Sequence, residues 1–463
     1  MPFRKLDPQA LEKRTSLFLQ LSKVVFNNFE VWASEKLHSP STPGYIQRVV
    51  FTEDSYYSVP YEMRPREQLV LGNHIDEILS YEATAAYIEQ CKSDQLFEDV
   101  QENGAKRTAS LPGAIISPLS FIISRCGTTH PTDKQIEDTY TWYDKALYFQ
   151  YTECKFLILL KNIAVVALDE SIRIGDAVLS TFSLEEKNHL SLRMPQLGMS
   201  DAGKLPSIIS KASTKLSLSY EGYINDTETR EKCRTQIKRA MTVLRLYYSG
   251  WIGSSLSLFV TDFGSIEQTN EFAVEDNQSP MQFATEQHAV ALQELFEMLD
   301  EHTEYELAIP ISRFNLAHTR RSGEDRIIDL AICLESLLSD SSDAIAYRMQ
   351  LRGAALLRKS HKPAEVKEFI ALVYDVRSKV VHTGKTLEDI ERASRGEDSL
   401  KKIRNRMKGL SPSLKPQQFP LAYHELVRAI LRQCVELVHT NKKMGEIRED
   451  LDNELLEGLL SLP

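Results

Sequence analysis

From Met281 onward the apolar residues fall at helical spacing in successive segments, and this repetition restricts the fold more than any other feature of the chain. Residues 284–300 carry Ala291, Leu292, Leu295 and Leu299. Residues 324–338 carry Ile327, Leu330, Ala331, Leu334 and Leu338. A third segment spans 343–358, and a fourth, 363–382, carries Val366, Ile370, Val373, Val376 and Val380. The last, 421–439, carries Leu426, Val427, Ile430, Cys434 and Val438. Side chains three and four apart share one helix face, and such faces bury themselves against one another. Five helices without a convincing strand predict an all-α bundle. The fourth is punctuated at both ends, by Pro363 in its first turn and by Gly384 just past its last.

The N-terminal part reads differently. Residues 11–36 and 76–91 predict helices, whereas 45–71, rich in Val, Tyr and Phe, predicts strands. Residues 104–133 hold Gly, Pro, Ser and Thr and predict a loop with short apolar pieces. Residues 148–180 are β-branched and apolar, with 163–168 a candidate buried strand. Leu216, Leu218 and Tyr220 alternate with polar residues, as on a half-buried strand. Residues 231–248 predict a helix, and 263–280 a linker. The expected fold class is therefore an α+β N-terminal region (residues 1–270) followed by an all-α helical domain (residues 281–463). The length of 463 residues fits two or three domains.

Composition excludes several classes. No run of about 18 apolar residues is present and the first residues carry no apolar signal core, so the expectation is a cytoplasmic protein without a membrane span. Six scattered cysteines (Cys91, Cys126, Cys154, Cys233, Cys333, Cys434) form no C-x-x-C pair, which predicts neither a disulfide framework nor a metal site. No phosphate-binding glycine loop, nucleophile elbow or H-E-x-x-H motif appears, and no cofactor is expected. His424 and His439, on the last of the five segments, lack metal-ligand spacing.

The net charge of −10 hides an asymmetry. Residues 312–420 hold 21 Lys or Arg against 14 Asp or Glu, a net of +7, so the remainder carries −17. The densest basic run is Lys401, Lys402, Arg404, Arg406 and Lys408, which makes it the candidate for tracking a phosphate backbone. A solvated helix face is the plainer reading of the same run.

Four charged residues lie within apolar stripes. Arg377 is four after Val373 and three before Val380; Glu335 is four after Ala331 and three before Leu338. Arg348 and Arg352 flank Met349. A charge so placed needs a partner or a cleft, and the expectation is a buried ion pair between Glu335 and Arg348 or Arg352 that fixes bundle register. Arg377 is different, because His382 follows it at the helix end. Imidazole exchanges protons near neutral pH. RNA cleavage by the neighbouring 2′-hydroxyl needs proton removal, stabilisation of a phosphorane and proton donation to the 5′-oxygen. A His and an Arg can share those tasks without a metal. Five residues apart, they sit about 140° out of register on one helix, at ~100° per residue. Two copies facing each other across a symmetric dimer complete the site better than one.

The R-x4-H pattern of Arg377 and His382 resembles the signature of HEPN ribonucleases. The run from Ser312-Arg313-Phe314-Asn315 through DRIIDLAICLESLL, AYRMQLRGAALL and VYDVRSKVVHTG resembles the ApeA-like HEPN domain, over roughly residues 307–439. The resemblance implies a dimerising or higher-order helical bundle that cuts RNA without metal, in abortive anti-phage defence, with a phage-derived trigger. It implies Arg377 and His382 as the catalytic pair; Ser378 beside the arginine, and Glu335, Arg348 and Arg352 from the apolar stripes, are the candidate supporting residues. Many active members carry Asn, Asp or His directly after the arginine, where this chain has Ser378. The alternative is a catalytically silent HEPN module that binds RNA, a nucleotide or a protein partner.

Overall fold

The computed structural model describes residues 7–34, 45–51, 56–62, 66–94, 100–102, 105–107, 111–126, 128–149, 151–166, 171–191, 209–223, 226–261, 266–269, 281–340, 344–387, 389 and 419–460. Among these, the chain opens on a helical unit. Helix Pro8–Ser34 turns Leu11, Phe18, Leu21, Val25, Phe29 and Trp32 inward at spacings of three and four. From Phe18 onward they pack with Tyr87, Ile88 and Cys91 of Glu82–Ser93, with Ile115, Leu119 and Ile122 of Leu111–Cys126, and with Ile136 and Tyr140 of Asp133–Phe149. Strands Tyr45–Phe51 and Tyr56–Glu62 form an antiparallel hairpin. Helix Leu111–Cys126 corrects the loop expected there. Its Pro and Ser content hides an apolar face, and burial of that face outweighs local propensity.

A six-stranded sheet follows, in the order Ile266–Thr269, Gly253–Thr261, Tyr151–Lys161, Thr214–Tyr223, Ala177–Thr181, Ser171–Ile174. Every pairing in it is antiparallel. Tyr151–Lys161 contains a continuous apolar run because both its faces are covered. Phe156 and Leu160 belong to the main core, whereas Leu157 and Leu159 belong to a smaller cluster with Phe182, Leu190 and Leu258. Helix Thr227–Tyr247 adds Ile237, Met241 and Leu244 to the main core.

The C-terminal part comprises helices Ala289–Met298, Glu301–Glu306, Ala308–Thr319, Gly323–Leu338, Ile345–Leu356, Pro363–Thr383, Phe419–His439 and Met444–Leu460. Three of these (Glu301–Glu306, Ala308–Thr319 and Met444–Leu460) lie outside the segments read as helices, and the short strand Gln282–Ala284 pairs in parallel with Ile163–Val165. The molecule is thus an α+β region joined to a helical bundle. One buried cluster holds Phe156, Leu218 and Phe259 of the sheet together with Leu330, Val373 and Ile430 of the bundle, and most of the stretch expected to be a linker lies outside the described residues. Strand Ile266–Thr269 lies within that stretch. Among the described residues no helix is long and apolar enough to cross a membrane.

Helix ends show why the bundle breaks where it does. The Ser322 hydroxyl caps Gly323–Leu338 by accepting from the Asp325 amide at 3.0 Å. Pro363 opens Pro363–Thr383, and Gly384 closes it in a left-handed conformation, φ 63°, its amide donating to Val380 O at 3.1 Å. Gly353 permits close helix packing: a Cβ there would lie 2.5 Å from Ile370 Cδ1.

Candidate functional site

Arg377, Ser378 and His382 all stand on helix Pro363–Thr383, whose buried face is Val366, Phe369, Ile370, Val373, Val376 and Val380. Arg377 and Ser378 are half-buried; His382 is exposed in the last turn. The single chain therefore does not bring the arginine and the histidine together on one face. Arg377 points inward, with Nη2 3.6 Å from Glu335 Oε1 on helix Gly323–Leu338. That distance holds an ion pair but exceeds a direct hydrogen bond. Among the described residues Arg377 Nε is shielded from solvent and has no hydrogen-bond partner. Asp375 and Lys379 pair on the exposed side, at 2.7 Å.

The expected pairing of Glu335 with Arg348 or Arg352 is not formed. Arg352, 1% exposed, gives a two-pronged contact to Asp452 (Nε–Oδ1 2.9 Å, Nη2–Oδ2 2.6 Å) and also donates to Leu338 O at 2.8 Å. Arg348 pairs with Asp340, which Arg352 also contacts. Hydrogen bonding from Arg352 brings the Asp340 carboxyl down to about 2 against the opposing effect of burial, with Arg348 adding to the lowering. The reason lies in the helix end. The last carbonyls of Gly323–Leu338 lack intrahelical donors. Arg352 covers Leu338, while Arg448 covers Ser336 and Leu337. Asp452 and Arg448 both belong to Met444–Leu460, a helix the sequence reading passed over. Met444, Ile447 and Leu451, at spacings of three and four, were the signal for it.

These positions separate two stability effects. Arg352→Ala is expected to cost about 2–4 kcal/mol, because it leaves the Leu338 carbonyl without its donor and empties the space of a buried side chain, while Asp452 is half-exposed and Asp340 keeps Arg348. Glu335→Ala is expected to cost less, about 1–2 kcal/mol, since Glu335 and Arg377 keep 23% and 22% of their side-chain surface in solvent. Urea unfolding of the two variants checks the order; a larger loss for Glu335→Ala would contradict the assignment.

A second polar cluster, not foreseen from sequence, joins sheet to bundle. His318, on Ala308–Thr319, and His424, on Phe419–His439, are buried with their Nε2 atoms 3.0 Å apart. His318 Nδ1 lies 3.1 Å from Ile252 O, an acceptor only, so His318 carries its proton on Nδ1. Glu425 accepts from the Gly250 amide and from Arg428 and lies 3.1 Å from His424 Nδ1. Burial, with Arg245 next, holds His318 well below the ordinary histidine range. At His424 burial lowers the pKa more than Glu425 raises it. Both are therefore neutral at pH 7. The unfolded chain binds more protons as pH falls below about 6.5, so stability is full above that value and declines toward acid. Unfolding free energy is expected to fall between pH 7 and pH 5, and to fall less in His424→Gln. Equal slopes would remove the pair from the account.

The run Lys401, Lys402, Arg404, Arg406 and Lys408 lies outside the described residues. Cys333 and Cys434 are buried free thiols. No family model matches the chain, and no curated protein or solved structure matches it.

Proposed function

We propose that this chain is a metal-independent endoribonuclease effector of anti-phage defence, acting as a HEPN-type dimer through Arg377 and His382. The observation that carries the reading is the state of the motif helix. Among the described residues a half-buried arginine has one carboxylate partner, at 3.6 Å, and an unpaired Nε, while an exposed histidine occupies the glycine-capped end of the same helix. A guanidinium so loosely engaged is available to a phosphorane, and an exposed imidazole is available to a proton on a hydroxyl. Because the two side chains leave the helix in different directions, the reading requires a second protomer to complete the site. The basic run 401–408 and the acidic N-terminal region act, in this reading, on substrate capture and on restraint until a phage-derived trigger binds.

The test is RNA integrity during phage infection in cells producing wild type or His382→Ala. Fragmentation with wild type alone supports the reading. Intact RNA with both proteins favours the non-catalytic binding module, to which Ser378 already points.

A further inference from the structure

The buried junction between sheet and bundle holds fewer protons at pH 7 than its contacts need. His318 and His424 meet at their Nε2 atoms, 3.0 Å apart, with the rings 82° from parallel. His318 Nδ1 faces the Ile252 carbonyl at 3.1 Å, and His424 Nδ1 faces Glu425 Oε1 at 3.1 Å. Each of these three contacts needs one hydrogen. Ile252 O only accepts. Glu425 is an acceptor too: burial raises its carboxyl, but His424 and Arg428 bring it down to about 2. Two neutral imidazoles supply two hydrogens, and one is committed to Ile252. If His424 carries its hydrogen on Nδ1, two bare Nε2 atoms face each other. If it carries it on Nε2, a bare Nδ1 faces a carboxylate oxygen. Either way one acceptor is set against another between buried rings.

One more proton satisfies all three contacts, and a further one would set two N–H groups head to head. We propose that this junction is a one-proton latch: on acidification His424 takes up a single proton and donates through Nδ1 to Glu425 and through Nε2 to His318, which stays neutral. Closed in this way, the latch ties helices Ala308–Thr319 and Phe419–His439 to the turn at 250–252, through Ile252 O and through the Gly250 amide that donates to Glu425 at 2.6 Å. The surrounding groups set the order of uptake. At His424 burial opposes the charge, as do Arg428 of the same helix and Arg326 of Gly323–Leu338, while Glu425 favours it. At His318 burial, Arg245 of Thr227–Tyr247, His424 and Arg326 all oppose it. Trp251 covers both rings, its centroid 4.4 Å from that of His424 and 5.2 Å from that of His318. Among the described residues no group of three or more His, Cys, Asp or Glu could hold a metal ion, so the cation that suits the gap is a proton. The latch does not involve Arg377 or His382 and does not rest on the nuclease reading.

Magnetic resonance of the full chain, labelled with [15N]histidine, tests the latch by counting. Ring N–H hydrogens of exposed histidines are lost to exchange with water, whereas those of His318 and His424 are shielded. From pH 7 down to the acid limit of folding, the number of shielded ring N–H signals is expected to rise by one. The new signal should share its ring with an existing one. A count that stays constant until the protein unfolds, or that rises by two in one step, overturns the proposal. Glu425→Gln supplies the second arm. The amide that replaces the carboxylate can donate to His424 Nδ1, so two neutral imidazoles then satisfy every contact. The variant is expected to gain no signal over the pH range in which wild type gains one. A gain at the same pH as in wild type overturns the proposal. Should the variant fail to fold, the wild-type count decides alone.

Discussion

Arg14→Ala is expected to unfold the N-terminal helical unit at a denaturant concentration where the rest of the chain stays folded. Arg14 is fully buried and gives two contacts to Asp144, Nε–Oδ1 at 3.1 Å and Nη2–Oδ2 at 2.7 Å, with a third to Asp94. Asp144 is itself fully buried and also accepts from Tyr140 at 3.1 Å, and Tyr140 meets Tyr87 at 2.8 Å. Three helices, Pro8–Ser34, Glu82–Ser93 and Asp133–Phe149, therefore converge on one guanidinium. Removing it leaves the buried Asp144 carboxyl, whose pKa burial already raises, without its two guanidinium donors, at a cost of about 3–5 kcal/mol. The core of this unit is separate from that of the sheet and bundle, so the loss stays local. Trp32 and Trp142 report on this unit and Trp251 on the sheet–bundle junction. Urea titration followed by fluorescence should split into two steps in the variant. A single transition with an unchanged midpoint would show that the network contributes little.

Much of the bundle was legible because its helices carry both a stripe and punctuation. Pro363, Gly384 and the valines between them locate the motif helix to within a residue or two. Helix Leu111–Cys126 was not legible, since Pro118 and several serines mask Ile115, Leu119 and Ile122. Its helicity is secured by packing against Arg66–Asn73 and Asp133–Phe149, which lies outside any local window. The charged residues divide in the same way. Spacing places Arg352 and Arg377 on inward faces, and both are there. It does not reveal which acid each one meets, because that depends on how helices cross. Arg352 meets Asp452, a hundred residues away, and Glu335 falls to Arg377.

The largest functional effect is expected from the motif itself. Arg377→Ala and His382→Ala should each reduce RNA cleavage by at least about 100-fold, the lower end of what general acid–base or transition-state charge contacts contribute. Both proteins should remain folded. His382 is exposed, and the Arg377–Glu335 contact is only part-buried, so neither change opens a core cavity. Loss of cleavage together with loss of folding would not assign chemistry to these residues.

The most direct measurement is cleavage of a defined RNA by the purified protein in EDTA, with wild type, Arg377→Ala and His382→Ala side by side and the product ends identified. The account predicts that wild type cuts in EDTA and leaves 2′,3′-cyclic phosphate, and that both variants are inactive. Strict dependence on Mg²⁺, or full cleavage by His382→Ala, would contradict it.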